Sequence, residues 1–138
     1  MPDESPAVLA RRAVEKHCEY WNARNQQAWS ALFADEVVFE DPVGAPPKHG
    51  REAVRESWER SLTPGREWHL VPTRILAGGS EAAVVMRNEG NLHATAVVVE
   101  TLEVWRVRED GLVVSIRAFF EPDPSVQSGY FQTTRSPE

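Results

Sequence analysis

The hydrophobic period of this chain changes near residue 65, and that change limits the folds open to it. Before residue 65, apolar side chains recur every three or four positions, which is typical of amphipathic helices. After it, apolar and polar side chains alternate, which is typical of half-buried strands. The last predicted strand carries one apolar face, formed by Leu112, Val114, Ile116, Ala118 and Phe120. Helices therefore precede a sheet instead of alternating with its strands.

Turn and capping residues divide these two halves into individual elements. Ser5 and Pro6 can begin the first helix, and Asn25 interrupts its pattern. Residues 45–50, with two prolines and a glycine, are expected to form a loop. We predict further helices over residues 26–33 and 51–62, and strands over residues 37–40, 68–76, 81–88, 92–107 and 112–120.

This order of elements favours an α+β fold. We expect a cone-shaped domain, in which a curved antiparallel sheet wraps over three N-terminal helices and leaves a blind apolar cavity for a small ligand. A chain of 138 residues fits one domain, which we place at residues 6–121. Residues 1–5 are expected to be disordered, and residues 122–138, rich in Pro, Ser, Gln and Thr, to form a flexible tail.

Charge and composition exclude several classes of partner. The chain has 21 acidic and 15 basic residues, a net charge of -6 and no basic stripe, which argues against nucleic acid. No apolar stretch reaches the roughly 18 residues of a membrane helix, and residues 1–6 lack the pattern of a signal peptide. Cys18 is the only cysteine, so no internal disulfide can form. We expect a cytoplasmic protein that binds neither nucleic acid nor a membrane.

Asp41 is the strongest candidate for a functional residue. It follows the apolar strand over residues 37–40 and precedes the rigid corner Pro42-Val43-Gly44. A carboxylate in an apolar pocket has a raised pKa and can act as a base near neutral pH. The structural alternative is that an aspartate before a proline merely begins a turn.

Three segments of the chain carry a family resemblance. They are residues 32–44, which contain Glu-Asp-Pro-Val-Gly around Asp41, residues 113–120, and Trp21-Asn22-Ala23 in the first helix. Together they resemble the steroid Δ-isomerase (ketosteroid isomerase), SnoaL-like branch of the nuclear-transport-factor-like superfamily, from about residue 14 to residue 120. The resemblance implies a cofactor-free isomerase that moves a proton alpha to a carbonyl, with a small hydrophobic substrate such as a steroid.

The resemblance also implies a role for individual residues. Asp41 matches the family's base, and His17 and Glu103 fall on the tyrosine and the protonated aspartate that bind the substrate oxygen. Trp58 falls on a tyrosine that supports them. An imidazole thus replaces a phenol, and a glutamic acid replaces a shorter aspartic acid. The pocket is therefore expected to be similar in plan and different in chemistry.

His17 and Glu103 also have purely structural explanations. His17 lies on the apolar stripe of the first helix, where a histidine can be a core residue. Glu103 could be an exposed strand charge that pairs with Arg87 or Arg106. As functional residues, both would donate hydrogen bonds to a substrate oxygen. Tyr20, one turn beyond His17, could supply the missing phenol, although its direction suits the flank of the pocket better.

Large side chains, mostly apolar, are the candidates for the pocket wall, with plain core packing as the alternative for each. The predicted substrate-binding residues are Trp21, Trp58, Val84, Met86, Trp105, Phe120 and Tyr20. No pair of His or Cys has metal-ligand spacing and no glycine-rich phosphate loop exists, so we expect neither metal nor cofactor. The resemblance implies a homodimer, through an outer sheet face that could contain Thr95, Val97, Val99, Arg117 and Phe119.

Two other classes of function stay open. The same cavity could host a dehydratase, hydrolase or cyclase that acts on a polycyclic substrate. Dehydratases of this shape use a His-Asp pair, which His17 and Asp41 could form, whereas the Asp-Arg-Asp set of epoxide hydrolases finds no match around Arg106 or Arg117. Alternatively, the domain binds a small hydrophobic ligand without catalysis.

Overall fold

The computed structural model describes residues 4–120 of the chain as three helices and six strands. The helices are α1 (Pro6–Asn22), α2 (Gln26–Ser30) and α3 (Gly50–Ser61). The strands are β1 (Phe33–Glu40), β2 (Lys48–His49), β3 (Arg66–Gly78), β4 (Glu81–Leu92), β5 (Thr95–Val107) and β6 (Val113–Phe119). The expected α+β class, with helices in the first half of the chain and a curved sheet, is confirmed.

One six-stranded sheet carries the fold, in the order β2-β1-β6-β5-β4-β3. Strands β3 to β6 form an antiparallel meander, and β2 pairs antiparallel with β1. The β1–β6 pair is parallel, which corrects the expectation of an entirely antiparallel sheet. Alternation in the sequence shows which side chains face the core, but it does not show the direction of the neighbouring strand.

Helix α1 begins and packs as its sequence indicates. The Ser5 side chain accepts a hydrogen bond from the backbone N–H of Val8, and Pro6 occupies the first turn. Its buried face lies against β3, β4 and β5 and consists of Ala10, Ala13, Val14, His17, Cys18 and Trp21. This face fills the concave side of the sheet at one end.

A cluster of aromatic rings joins the three helices. The ring centroid of Trp58 on α3 lies 5.0 Å from that of Trp21 on α1 and 5.2 Å from that of Trp29 on α2. Trp21 and Trp29 are themselves 5.3 Å apart and meet edge to face. Edge-to-face contacts of this kind add to the stabilisation from burial. The cluster therefore fixes the helices against each other beside the sheet.

Several predicted boundaries were wrong for reasons of tertiary pairing. Helix α2 ends at Ser30, and β1 already begins at Phe33, because Phe33 pairs with Val113 of β6. The expected loop over residues 45–50 contains β2, which pairs with β1 at two positions only. The long strand predicted over residues 92–107 is divided by a turn at residues 93–94, which leaves β5 to begin at Thr95. Each pairing depends on distant residues that local sequence patterns do not show.

The predicted outer face of the sheet needs a correction by one residue on β5. Leu102 pairs with Phe119, so these two side chains lie on the same face, together with Val98. Val97 and Val99 have the opposite parity and pack against the core. On β5 and β6, the exposed apolar residues of the outer face are therefore Val98, Leu102 and Phe119. The homodimer itself stays a prediction.

The expectations for the two ends of the chain concern residues that are mostly outside the described range. Residues 1–3 and 121–138 are not described, so the flexible tail over residues 122–138 stays a prediction. Within the described range, Ser5 caps α1 and Glu4 forms an ion pair with Arg12.

Gly90 on β4 provides a direct test of how tightly the sheet packs on its concave side. A Cβ atom added at Gly90 would lie 2.5 Å from Cε3 of Trp68 on the paired strand β3. We expect Gly90→Ala to lower the free energy of unfolding by about 1–3 kcal/mol through overpacking. Gly78→Ala is the matched control, since a Cβ there meets nothing within 4 Å. Urea unfolding of both variants measures the difference, and equal stability would contradict the packing.

Candidate active site

A cavity of about 900 Å³ opens on the concave side of the sheet. Aromatic and aliphatic side chains form most of its wall, and these are Trp21, Trp29, Phe39, Pro42, Val43, Trp68, Leu70, Val85, Val99, Trp105, Ile116, Ala118 and Phe120. Among residues 4–120, β6 ends at Phe119 and pairs with β5 only from Leu102 onwards, so no described strand covers the first half of β5 on that side. Outer-face residues border the mouth. The size and the apolar lining are those of a small-molecule site.

Asp41 is held at the edge of this cavity by the corner that follows β1. Glu40, the last residue of β1, pairs with Arg117, and the next peptide bond, Asp41-Pro42, is cis. The backbone N–H of Val43 then donates to the carbonyl of Ala118 at 2.8 Å. The corner is thus attached to β6 on both sides of Asp41, which fixes the backbone position of Asp41.

The Asp41 carboxyl group faces the cavity without a partner. It keeps accessible surface because the cavity is open, yet protein surrounds it closely enough to raise its pKa by desolvation. The charge of Lys48 on β2 opposes this rise. Within residues 4–120, the Asp41 carboxyl group accepts no hydrogen bond. A carboxylate without donors and with a raised pKa is well suited to accept a proton.

Glu103 enters the cavity from β5 and is held by two donors. Thr101 Oγ1 lies 2.8 Å from Oε2 of Glu103, and Trp105 Nε1 lies 2.9 Å from Oε1. Burial raises the pKa of the Glu103 carboxyl, and the nearby Asp41 charge raises it further. The hydrogen bonds from Trp105 and Thr101 act in the opposite direction. The structural alternative, an ion pair of Glu103 with Arg87 or Arg106, does not form, and Arg87 pairs with Glu89 instead.

His17 is buried on α1 as a neutral imidazole. Its Nδ1 accepts a hydrogen bond of 2.9 Å from Nε1 of Trp29, so the ring carries its hydrogen on Nε2. Desolvation lowers the pKa of His17 to about 3. His17 also lines the cavity, and its Nε2–H is the ring group left for a ligand.

The three predicted catalytic residues line one cavity. Glu103 of β5 pairs with Ala118 on one side of β6. On the other side of β6, the carbonyl of Ala118 accepts from the N–H of Val43 in the corner after Asp41. Two strand spacings therefore separate Asp41 from Glu103, a backbone distance of roughly 10 Å that long side chains can reduce. His17 reaches the same wall through Trp105, whose ring centroid lies 4.5 Å from its own.

The predicted wall residues divide into two groups. Trp21, Trp105 and Phe120 line the cavity, whereas Trp58, Val84 and Met86 are buried in the core outside its lining. Tyr20 lies on α1, partly buried and outside the cavity lining, and Nζ of Lys16 lies 5.6 Å from its ring centroid. A binding role for any of them stays a prediction.

Three residues that form hydrogen bonds to His17 or towards Glu103 were not predicted as site residues: Trp29, Thr101 and Asn88. Thr101 lies two residues before Glu103 and shares its strand face, so parity alone could have suggested it. Asn88 reaches Thr101 from β4, and Trp29 reaches His17 from α2. These last two contacts depend on strand register and helix packing, which the sequence pattern does not contain.

The described residues also bear on metal binding and membrane insertion. Over residues 4–120, no group of three or more His, Cys, Asp or Glu side chains is arranged to hold a metal ion. The helices in the same range are too short or too polar to cross a membrane.

Comparison with known proteins identifies the family. The model of the SnoaL-like domain matches residues 14–116, most of the chain. This chain belongs to the SnoaL-like domain family. A steroid Δ-isomerase of Nocardioides simplex is 30% identical over 116 residues, which cover 84% of this chain and 93% of that protein. The resemblance seen in the residues around Asp41 is thereby confirmed.

Solved structures support the same fold. The epoxide hydrolase/cyclase-like enzyme SalBIII, described in pyran ring formation in the polyether salinomycin, has a TM-score of 0.73 and 24% identity, over 81% of this chain and 90% of its own. A computationally designed 17-OHP binder has a TM-score of 0.68 and 20% identity, over 86% of this chain and 95% of its own. At these identities the likeness concerns the fold alone.

Proposed function

We propose that this SnoaL-like protein is a cofactor-free isomerase that moves a proton alpha to a carbonyl, with Asp41 as the base. The observation that carries the proposal is the unpartnered Asp41 carboxylate, which faces an apolar cavity that also contains Glu103 and His17. An ionised base and neutral hydrogen-bond donors in one mainly apolar cavity are the arrangement that enolate chemistry needs.

Asp41 carries the proton between two carbon atoms. It removes a proton from the carbon next to the carbonyl, and the electron pair of that C–H bond forms the enolate. The protonated Asp41 then returns the proton to the far carbon of the neighbouring double bond, which moves into conjugation. No atom is gained or lost and no redox step occurs.

Glu103 and His17 stabilise the negative charge on the substrate oxygen. Neutral Glu103 supplies an O–H, and His17 supplies Nε2–H because its Nδ1 already accepts from Trp29. Asp41 must be ionised and Glu103 neutral at the same pH. The Asp41 charge raises the pKa of Glu103, so ionisation of the base itself helps the acid to retain its proton.

A small hydrophobic molecule such as a steroid is the proposed substrate. The wall is mainly aromatic and aliphatic, and a cavity of about 900 Å³ accommodates a fused-ring ligand. The related steroid Δ-isomerase supports this choice. The homodimer and the cytoplasmic location stay predictions.

The arrangement favours isomerisation over dehydration by a His-Asp pair. In the described part of the chain, no hydrogen bond joins His17 to Asp41, and His17 Nδ1 is used by Trp29. A histidine with a pKa of about 3 is also a weak base near neutral pH. Asp41 therefore acts alone as the proton acceptor.

Turnover of a β,γ-unsaturated ketosteroid tests the proposal against simple binding. Formation of the conjugated ketone is followed by its ultraviolet absorbance, and thermal unfolding is measured with and without the same steroid. We expect both turnover and a higher melting temperature with ligand. A higher melting temperature without turnover would leave a binding protein and contradict the isomerase.

A further inference from the structure

A chain of hydrogen bonds connects Glu103 to residues without a role in the proton transfer described above. Asn88 Nδ2 lies 3.1 Å from Thr101 Oγ1, which in turn lies 2.8 Å from Glu103 Oε2. From the other side, Trp105 Nε1 lies 2.9 Å from Glu103 Oε1. Both oxygens of the carboxyl group are therefore engaged by protein groups.

Some groups in this series of hydrogen bonds can only donate or only accept, and they determine the direction of every bond in it. Asn88 Nδ2 also donates to the backbone carbonyl of Val99 at 2.9 Å, and a carbonyl can only accept, so the orientation of the amide is determined. Asn88 thus presents a donor to Thr101, and the hydroxyl hydrogen of Thr101 is left for Glu103. The indole of Trp105 has a donor and no acceptor. Every link in the network therefore donates towards Glu103.

We propose that Asn88 and Thr101 are positioning residues, which direct the proton of neutral Glu103 into the cavity. The proposal rests on the isomerase role of Glu103. A proton on either oxygen finds no acceptor in Trp105 or in the Asn88–Thr101 chain, so it turns to an oxygen atom of the ligand. Reversal of the Thr101 hydroxyl would aim its hydrogen at Asn88 Nδ2, which is another donor, and would break that hydrogen bond.

The charges around Glu103 agree with this arrangement. Asp41 faces it from the end of β1, and His17 and Cys18 lie near it on α1. His17 is neutral because desolvation lowers its pKa to about 3, and Cys18 is neutral because burial raises its pKa to about 12. Asp41 is therefore the nearby group whose charge opposes ionisation of Glu103, while the donors of the network favour it.

Thr101→Val removes the donor with almost no change of shape, and Thr101→Ser keeps the hydroxyl. We expect the pKa of Glu103, followed by ¹³C NMR of labelled glutamate carboxyl groups, to be higher in Thr101→Val than in the wild type or Thr101→Ser. We expect kcat for the ketosteroid to fall roughly five- to tenfold in Thr101→Val, the effect of one hydrogen bond, with a smaller change in KM. Thr101→Ser should recover most of the loss.

Two further variants separate positioning from general damage to the sheet. Thr73→Val removes a hydroxyl that donates to the carbonyl of Val85 on the exposed side of β3, and should change neither the pKa of Glu103 nor kcat. Asn88→Leu removes the far end of the chain and should shift the pKa of Glu103 in the same direction as Thr101→Val. It provides the same test if Thr101→Val fails to fold.

Glu103→Gln shows whether Thr101 acts through Glu103. Thr101→Val should lower kcat less in the Glu103→Gln background than in the wild type. An unchanged pKa of Glu103 in Thr101→Val and Asn88→Leu would overturn the positioning role, and so would equal losses of kcat in both backgrounds. The pKa is measured without turnover. If Thr101→Val shifts the pKa of Glu103 but the wild type turns over no ketosteroid, the result would contradict the isomerase activity and support the hydrogen-bond connection to Glu103.

Discussion

Asp41→Asn should lower kcat for a β,γ-unsaturated ketosteroid by roughly 10²–10⁴-fold, the usual contribution of a positioned general base. The amide has nearly the shape of the carboxylate, but it cannot accept a proton at neutral pH. KM should change less, because the aromatic wall binds the substrate in the variant as in the wild type. Steady-state kinetics followed by absorbance of the conjugated product measure both constants.

Glu40→Gln is the matched control for this loss. Glu40 is the preceding residue, and its side chain lies 3.4 Å from the guanidinium of Arg117, away from the cavity lining. It should keep wild-type kcat. Wild-type turnover in Asp41→Asn would contradict the role of Asp41, and an equal loss in both variants would indicate damage to the corner instead of loss of the base.

The stability of Asp41→Asn should show whether lost activity reflects the missing base or an unfolded protein. Burial raises the pKa of Asp41 in the folded state above its ordinary value of 3.8, so the folded state holds that proton more tightly than the unfolded state does. Folded stability therefore falls as the pH rises through the interval between the two values. The variant has no such proton to lose. Its melting temperature at pH 7 should equal or exceed that of the wild type.

Removing the carboxyl group of Glu103 should have the second large effect. Glu103→Leu takes away one donor to the substrate oxygen, and such a loss lowers kcat by about 10²–10³-fold. Glu103→Gln keeps an N–H donor and should lose less. The order of kcat is therefore wild type, then Glu103→Gln, then Glu103→Leu. Equal kcat in all three would exclude Glu103 from binding the oxyanion.

The pH dependence of kcat gives this prediction an independent check. The wild type should lose activity at low pH as Asp41 gains a proton and at high pH as Glu103 loses one, because the base must be ionised and the donor neutral. Burial raises both pKa values, so both limbs of the pH profile should lie at a higher pH than the ordinary pKa values of carboxyl groups. Glu103→Gln should retain the acid limb and lack the alkaline limb. His17 should add no limb, because its pKa is about 3.

The sequence was sufficient to predict the class of fold and three residues that line one cavity. Helical periods followed by alternating strands describe a sheet that covers helices, and the run around Asp41 identifies the family. His17 and Glu103 were assigned because their distances along the sequence from Asp41 match the spacing in the family. Both line the cavity with Asp41. Spacing predicts these positions because the local period of a helix or strand sets the direction of its side chains, independently of contacts with other elements.

Contacts between elements were beyond what the sequence could predict. The pairing of β2 with β1 involves two positions, and the parallel β1–β6 pair joins strands far apart in the chain. Asn88 reaches Thr101 only in the observed β4–β5 register, where Asn88 is opposite Val99. The hydrogen bond between Trp29 and His17 needs the turn between α1 and α2. The geometry of the candidate site therefore depends on these contacts as well as on the residues that spacing predicts.

The most direct test of the proton transfer follows an isotope through one turnover. A β,γ-unsaturated ketosteroid deuterated at the carbon that loses the proton is converted in ordinary water, and the position of deuterium in the product is read by NMR. If Asp41 carries the proton from one carbon to the other, the product should contain deuterium at the far carbon. A product without any deuterium there would show that the proton comes from water and would contradict Asp41 as the single carrier.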